Sequence, residues 1–256
     1  RASLRGKGST PHLLAMSATP IPRSLALTVY GDLDLSVIDE LPPGRQRIRT
    51  RWVEPSRRGA AYDFVRQQVM AGLQAFIVCP LIEESEAVHS RAAVEEYERL
   101  SADVYPELRL GLLHGRMRLR EKQDTMDMFK RGDLDIVVST PVIEVGIDVP
   151  NASVMLIDGA DRFGLAQLHQ FRGRVGRGIN QSYCLLLADS PSEEARQRLK
   201  IVERIQDGFK LAEEDLRIRG PGDYLGTRQS GIPGLRMARL TDHEILDLAR
   251  VQATAL

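Results

Sequence analysis

Ala75-Phe76-Ile77-Val78-Cys79-Pro80-Leu81-Ile82 is an unbroken apolar run with no residue to spare for a solvated face. It has the length of a strand, not of a buried helix, and predicts a strand covered on both sides. Its neighbours decide the fold. Upstream, residues 47–53 (RIRTRWV) alternate after the breaker Pro42-Pro43-Gly44, and a helix is predicted from Ser56, as its N-cap, to Met70, with Gly72 at its end. Downstream, strands are predicted at 108–114, 135–140, 153–158 and 182–188, and helices at 86–104, at 118–132 and from about 164. A shorter apolar run, 13–17, precedes them all. Buried strands interleaved with helices predict an α/β architecture, a doubly wound parallel sheet whose ligand loops follow the strand C-termini. The pattern stops near residue 190. A polar helix follows, then a glycine-rich stretch at 220–234 and a short helix from Thr241. Three parts are expected: a lead-in at 1–45, the sheet domain at 46–190 and a helical-hairpin and loop tail at 191–256.

Of the 256 residues, 43% are hydrophobic and 27% charged, which excludes disordered, collagenous and low-complexity classes. No apolar run reaches the roughly 18 residues of a membrane span, and no basic-then-apolar leader opens the sequence, so a cytoplasmic location is expected. The first residue is Arg1, not Met, and the chain is expected to be a piece of a longer protein. Cys79 and Cys184 lie far apart inside apolar runs and read as small buried hydrophobes. The net charge of zero excludes a polycation, but it sums alternating blocks. Residues 83–107 hold eight acids against two arginines, residues 109–131 seven bases against three acids, and residues 162–177 four arginines and no acid. Thirty of the 35 basic residues are arginine, which reflects either genomic base composition or the fit of the planar guanidinium to phosphate.

The candidate functional residues fall at or just past strand ends. Ser17-Ala18-Thr19 offers small hydroxyls where a backbone can come close. His114-Gly115-Arg116 is a strand-to-loop turn with a glycine and a cation. In the stretch from Ser139 to Pro150, Thr140 suits phosphate contact, and Gly146 and Asp148 suit ribose or nucleotide contact; the bland reading is a proline-bounded crossover loop. Gln167 to Gly178 (QLHQFRGRVGRG) is the sharpest signal. Arg174 and Arg177 are three apart, so on a helix they would share a face and call for an anion, as arginine fingers do in phosphoryl transfer. From Asp207 to Gly231 a helix ends in Gly220-Pro221-Gly222, and a loop then carries Arg228 and Gln229, which suits a mobile element.

In that order and spacing, these stretches resemble motifs III to VI of superfamily 2 helicases. The run from Ala18 to Arg45 and the stretch from Asp207 to Gly231 resemble, more narrowly, the RecG family of fork-remodelling helicases. The resemblance covers essentially the whole chain and is weakest over 83–107. The translocase of transcription-repair coupling factors is the runner-up, but Tyr30-Gly31-Asp32-Leu33 and Asp39 to Arg45 favour RecG. A RecA-like fold is implied. So are roles for Ser17 and Thr19 in coupling nucleotide state to DNA grip, and for Thr19, His114, Gly115, Arg116 and Thr140 at the DNA backbone. Gly146, Asp148 and Gln170 would meet the nucleotide, Arg174 and Arg177 would face the γ-phosphate, and Arg198, Arg219 and Gln229, with Arg228 beside them, would serve translocation. The sequence holds no G-x-x-x-x-G-K-[ST] loop and no acidic box, and no metal ligands are assigned in it. By the same resemblance, ATP and Mg2+ would be bound mainly by a first motor domain upstream, with a wedge domain before it. Implied partners are branched or duplex DNA, with no membrane, and the protein would be a monomer. The chain alone is expected not to hydrolyse ATP. A passive nucleic-acid platform is the rival reading.

Overall fold

β2 (Gln74–Val78) is buried at every residue, and the sheet is built outward from it. In this computed structural model the described residues are 46–79, 86–141 and 149–219, plus positions 14, 16, 36, 38, 248 and 252; the side chains of 86–91 and 219 are not among them. Around β2 stand β1 (Arg49–Val53), β3 (Leu110–Leu113), β4 (Ile136–Ser139), β5 (Ala152–Ile157) and β6 (Tyr183–Leu187). All pair in parallel, in the order β1-β6-β5-β2-β4-β3. The helices are α1 (Arg58–Met70), α2 (Glu86–Arg99), α3 (Leu119–Arg131), α4 (Leu165–Arg172), α5 (Glu193–Arg204) and α6 (Gly208–Arg219).

The two-residue period of the strands divides the apolar runs between two cores. Phe76, Val78, Met155, Ile157, Cys184 and Leu186 face α3, α4, α5 and α6. Ala75, Ile77, Val154, Leu156, Leu185 and Leu187 face α1 and the segment after α2. Both faces are covered, which is why the strands read as continuous apolar runs and not as alternating ones. At the first residue of β2, the buried Gln74 Nε2 donates to Phe129 O at 2.6 Å and to Leu134 O at 2.7 Å, fixing the end of α3 to the sheet. Cys79 and Cys184 are free and buried; burial pushes the Cys184 thiol up to about 12, so both behave as the expected small hydrophobes.

Some local expectations change. Ser56 does not cap α1: Pro55–Arg57 form a 3-10 turn, and the helix starts at Arg58 without a side-chain cap. Pro55 begins that turn because it has no N–H to leave unsatisfied. The charged helix keeps α-helical geometry only to Arg99 and ends in a π-helical turn, Leu100–Val104. α3 stops at Gly132, whose φ of +82° is the left-handed conformation that ends a helix without Cβ strain. Beyond β6 the chain makes a hairpin of α5 and α6, and Leu199, Val202 and Leu211 join the core under α4. Ser192 caps α5 by accepting the Ala195 N–H at 3.2 Å. No helix among the described residues is long and apolar enough to cross a membrane.

The chain changes direction across β2. From β4 it crosses over to β5 on the far side, and the crevice beyond the strand C-termini at such a reversal is where doubly wound sheets hold ligands.

Candidate functional site

Pairing of Leu113 with Ser139 brings the two residues that follow β3 and β4, His114 and Thr140, side by side at this edge. The Thr140 N–H donates to Leu113 O at 3.1 Å, and the residue is buried, yet its hydroxyl has no hydrogen-bond partner among the described residues. His114 Nδ1 is likewise enclosed and unpartnered. Burial, helped by Lys122 and Arg116, holds the His114 pKa below its ordinary value, so the ring is neutral near pH 7. Lys122 Nζ donates to Gly115 O at 2.8 Å, and the Met117 N–H donates to His114 O at 3.2 Å, so the His114–Gly115–Arg116 turn is fixed. Arg116 is exposed. A buried polar atom left unpaired costs about 1–3 kcal/mol. Such atoms, with Lys122 and Arg116 near His114, supply hydrogen-bonding capacity and charge that an anionic oxygen could use.

The other candidate group lies after β5, and its arginine turn packs beside Ile48, Pro150 and Ser182, at the edge where β1, β5 and β6 begin and not at the edge that holds His114 and Thr140. Gly164 stands at the N-cap of α4, its N–H donating to the Gln167 side chain at 3.3 Å. Leu165, Leu168 and Phe171 point into the core, where Phe171 meets Phe163 edge-on at 5.3 Å. α4 ends at Arg172, so the helical face expected for Arg174 and Arg177 does not form. Gly173 is the C-cap in a right-handed conformation, and Gly176 then takes a φ of +79° between the two arginines, a left-handed turn that glycine adopts without Cβ strain. Arg174 is half-buried and Arg177 exposed, on a turn and not on a helix, with Gln170 half-buried one helical turn before Arg174. The turn is pressed against the end of the β4–β5 crossover. A Cβ on Gly178 would come within 2.3 Å of Pro150 O, so only glycine allows this approach.

Arg172 was not among the residues singled out by sequence, and it organises this region. It is 2% exposed. Its Nη1 donates to Val202 O and Ile205 O, both at 2.9 Å, and its Nη2 donates to Gln206 O at 2.9 Å and lies 2.9 Å from His169 Nδ1. The guanidinium thus caps the carbonyl end of α5, where helix geometry leaves acceptors open and the dipole favours a cation. Burial lowers its pKa, and the carbonyls offset that cost. A signal was present: Leu165, Leu168 and Arg172 are spaced three and seven apart, so Arg172 sits on the buried stripe.

Arg198, expected to serve translocation, ties α5 to the chain before α4: it donates to Glu194 Oε1 at 2.7 Å and to Asp161 O at 2.8 Å. Arg219 is the last residue of α6. Ser17, Thr19, Gly146, Asp148, Arg228 and Gln229 lie outside the described residues. Among the described residues there is no group of three or more His, Cys, Asp or Glu that could hold a metal ion.

Residues 60–178 match the family model described as the helicase conserved C-terminal domain. Residues 205–256 match that of the ATP-dependent DNA helicase RecG, domain 3, C-terminal. The ATP-dependent DNA helicase RecG of Synechocystis is 54% identical over 257 residues, covering 100% of this chain and 31% of that protein. That of Thermotoga maritima is 54% identical over 251 residues, covering 98% and 32%. A solved structure of RecG bound to a three-way DNA junction superposes with a TM-score of 0.72 at 52% identity, covering 92% of this chain and 30% of that one. The chain spans about a third of the length of the curated relatives it matches.

Proposed function

The chain belongs to the RecG family of ATP-dependent DNA helicases, and from that membership we propose that it is the second half of an ATP-driven motor that remodels branched DNA. In this reading residues 46–190 are the second motor domain, 1–45 complete the first, and 191–256 convert closure of the two into movement along duplex DNA. The protein works in the cytoplasm as a monomer, with a first motor domain and a wedge domain upstream. The RecG-specific match over 205–256 favours this over the translocase of a coupling factor.

Arg172 is the observation that carries the proposal. Nucleotide state is to be sensed at Arg174 and Arg177, and DNA is to be moved by the tail. Arg172 joins the first to the second through three carbonyls at the end of α5. A change in the arginine turn is then passed to the hairpin without a slack segment between them.

The donor set fits ATP: two guanidinium groups on a glycine-bounded turn, with Gln170 one helical turn before them. When bound, ATP supplies a γ-phosphoryl group for transfer to water. Arg174 and Arg177 stabilise the charge that develops on it, Gln170 orients the phosphate chain, and Gly146 and Asp148 meet the nucleotide. His114 and Thr140, with Gly115, Arg116 and Thr19, take the DNA backbone: the unpaired Thr140 hydroxyl and His114 ring nitrogen receive a phosphate, and Arg116 supplies the charge. Magnesium would be held mainly by the first motor domain. Ser17, Arg198, Arg219, Arg228 and Gln229 relay between the two sites.

An arginine finger is worth about 10³–10⁵ in rate, but only against a phosphate already held in place. The 256-residue chain alone is therefore predicted not to turn over ATP, and the full-length protein containing it to show DNA-stimulated ATPase that Arg174→Ala lowers by about a thousandfold. Turnover by the isolated chain that is lost on Arg174→Ala would contradict the division of labour. Absence of DNA-stimulated ATPase from the full-length protein would favour the passive platform.

A further inference from the structure

Arg58 opens α1 and belongs to none of the motifs, yet it gathers the ends of two strands. Its Nη1 and Nη2 donate to Asp158 Oδ2 at 2.8 Å and Oδ1 at 2.9 Å. Nη2 also donates to Asp189 Oδ1 at 2.8 Å, and Nη1 to the Tyr62 hydroxyl at 3.2 Å. Asp158 is the residue after β5, and Asp189 lies two residues after β6. The pair with Asp158 is bidentate and three-quarters or more sequestered, with 25% of the Arg58 side chain and 15% of the Asp158 side chain exposed. Asp189 is 71% exposed, so its bond is the weaker.

What Asp158 holds makes the pairing consequential. Its Oδ1 also accepts the Gly159 N–H at 2.8 Å, and its own N–H donates to Val78 O at 2.9 Å. Gly159, at a φ of +58°, starts the 3-10 turn Ala160–Arg162 that delivers the chain into α4. Arg198 of α5 holds the same turn through Asp161 O. Asp189 leads through Ser190 and Pro191 to Ser192, the cap of α5. One guanidinium therefore bridges the approaches to α4 and α5, while Arg172 bridges their far ends. The helix that delivers the arginine turn is tied to its partner at both ends.

We propose that Arg58 is a positioning residue for ATP hydrolysis: by fixing the Gly159–Arg162 turn through Asp158, it sets where α4 places Arg174 and Arg177. This rests on the ATP-driven reading given above. Lysine cannot replace it, because one ammonium cannot form two parallel bonds to Asp158 and reach Asp189 as well.

The test compares DNA-stimulated ATPase, DNA affinity and thermal midpoint in the full-length protein. The variants are Arg58→Lys, Asp189→Asn and Arg66→Ala. Arg66 lies on the same helix and pairs with Asp63 and Glu107, away from the approaches to α4 and α5, so it controls for loss of an ion pair on α1. Arg58→Lys is expected to lower kcat about ten- to a hundredfold, the scale of a small misplacement of catalytic groups, with KM for ATP and DNA affinity unchanged. Asp189→Asn, on an exposed carboxylate that does not threaten folding, is expected to lower kcat by a few-fold, and Arg66→Ala to leave it unchanged. Wild-type kcat in both Arg58→Lys and Asp189→Asn would overturn the proposal, as would an equal loss in Arg66→Ala. A wild-type protein without DNA-stimulated ATPase would overturn the motor reading itself, and this inference with it.

Discussion

The two ends of the β3–β4 pair are built by opposite rules. Where the strands begin, Arg109 donates its backbone N–H at 2.8 Å and its Nε at 3.0 Å to Asp135 Oδ2, and its Nη2 to Asp135 Oδ1 at 2.6 Å and Gly132 O at 2.8 Å. Donors and acceptors are matched, and the Arg109 guanidinium holds the Asp135 carboxyl below the usual carboxylate range. Where the same strands finish, the Thr140 hydroxyl and His114 Nδ1 are enclosed without a partner, next to Lys122 and Arg116. The first end closes the sheet. The second keeps hydrogen-bonding capacity unused, which is what the proposed backbone contact would draw on.

Substitution should separate the two ends. The largest effect is expected from Thr140→Val, which keeps the shape and removes the hydroxyl. Losing one phosphate contact should weaken junction binding by the full-length protein about tenfold, since a net hydrogen bond to a charged group is worth roughly 1.5–3 kcal/mol. The unliganded chain should be no less stable, because an unpaired buried hydroxyl is gone. Arg109→Ala should do the reverse, lowering the thermal midpoint and leaving DNA affinity unchanged. Equal stability losses in both variants would erase the contrast.

A smaller effect should come from pH. The folded His114 resists protonation while the unfolded chain takes up a proton near the ordinary value of about 6.5. A group whose folded pKa is depressed in this way contributes stability above the unfolded pKa and loses it as pH falls below, until the folded ring also protonates. The denaturant midpoint should therefore drop between pH 7.5 and pH 5.5, and His114→Gln should reduce that drop. An unchanged drop would place the pH dependence elsewhere.

Much of the fold was legible because burial on both faces leaves its mark in composition. The runs in β2, β4, β5 and β6 could not be solvated, and Gly132 marked a helix end by its conformational freedom. Features set by distant partners were harder to read. Arg174 and Arg177 looked helical by spacing, but the helix ends at Arg172 and Gly176 takes a left-handed conformation between them. Arg172 could have been found from its place on the apolar stripe. Arg58 could not, because its partners lie 100 and 131 residues away and nothing local marks it. The orphaned atoms of His114 and Thr140 are a property of enclosure, which no spacing encodes, although the residue types had pointed to a backbone contact.

The central claim is that the arginine turn and the tail act as one mechanical unit, joined through Arg172. The most direct measurement is ATP consumed per base pair unwound on a three-way junction by the full-length protein, with and without Gln229→Ala. If the tail converts closure into movement, the variant keeps most of its DNA-stimulated ATPase and loses unwinding, so the ratio rises about tenfold or more. Loss of both activities in equal proportion, with the ratio unchanged, would contradict the coupling.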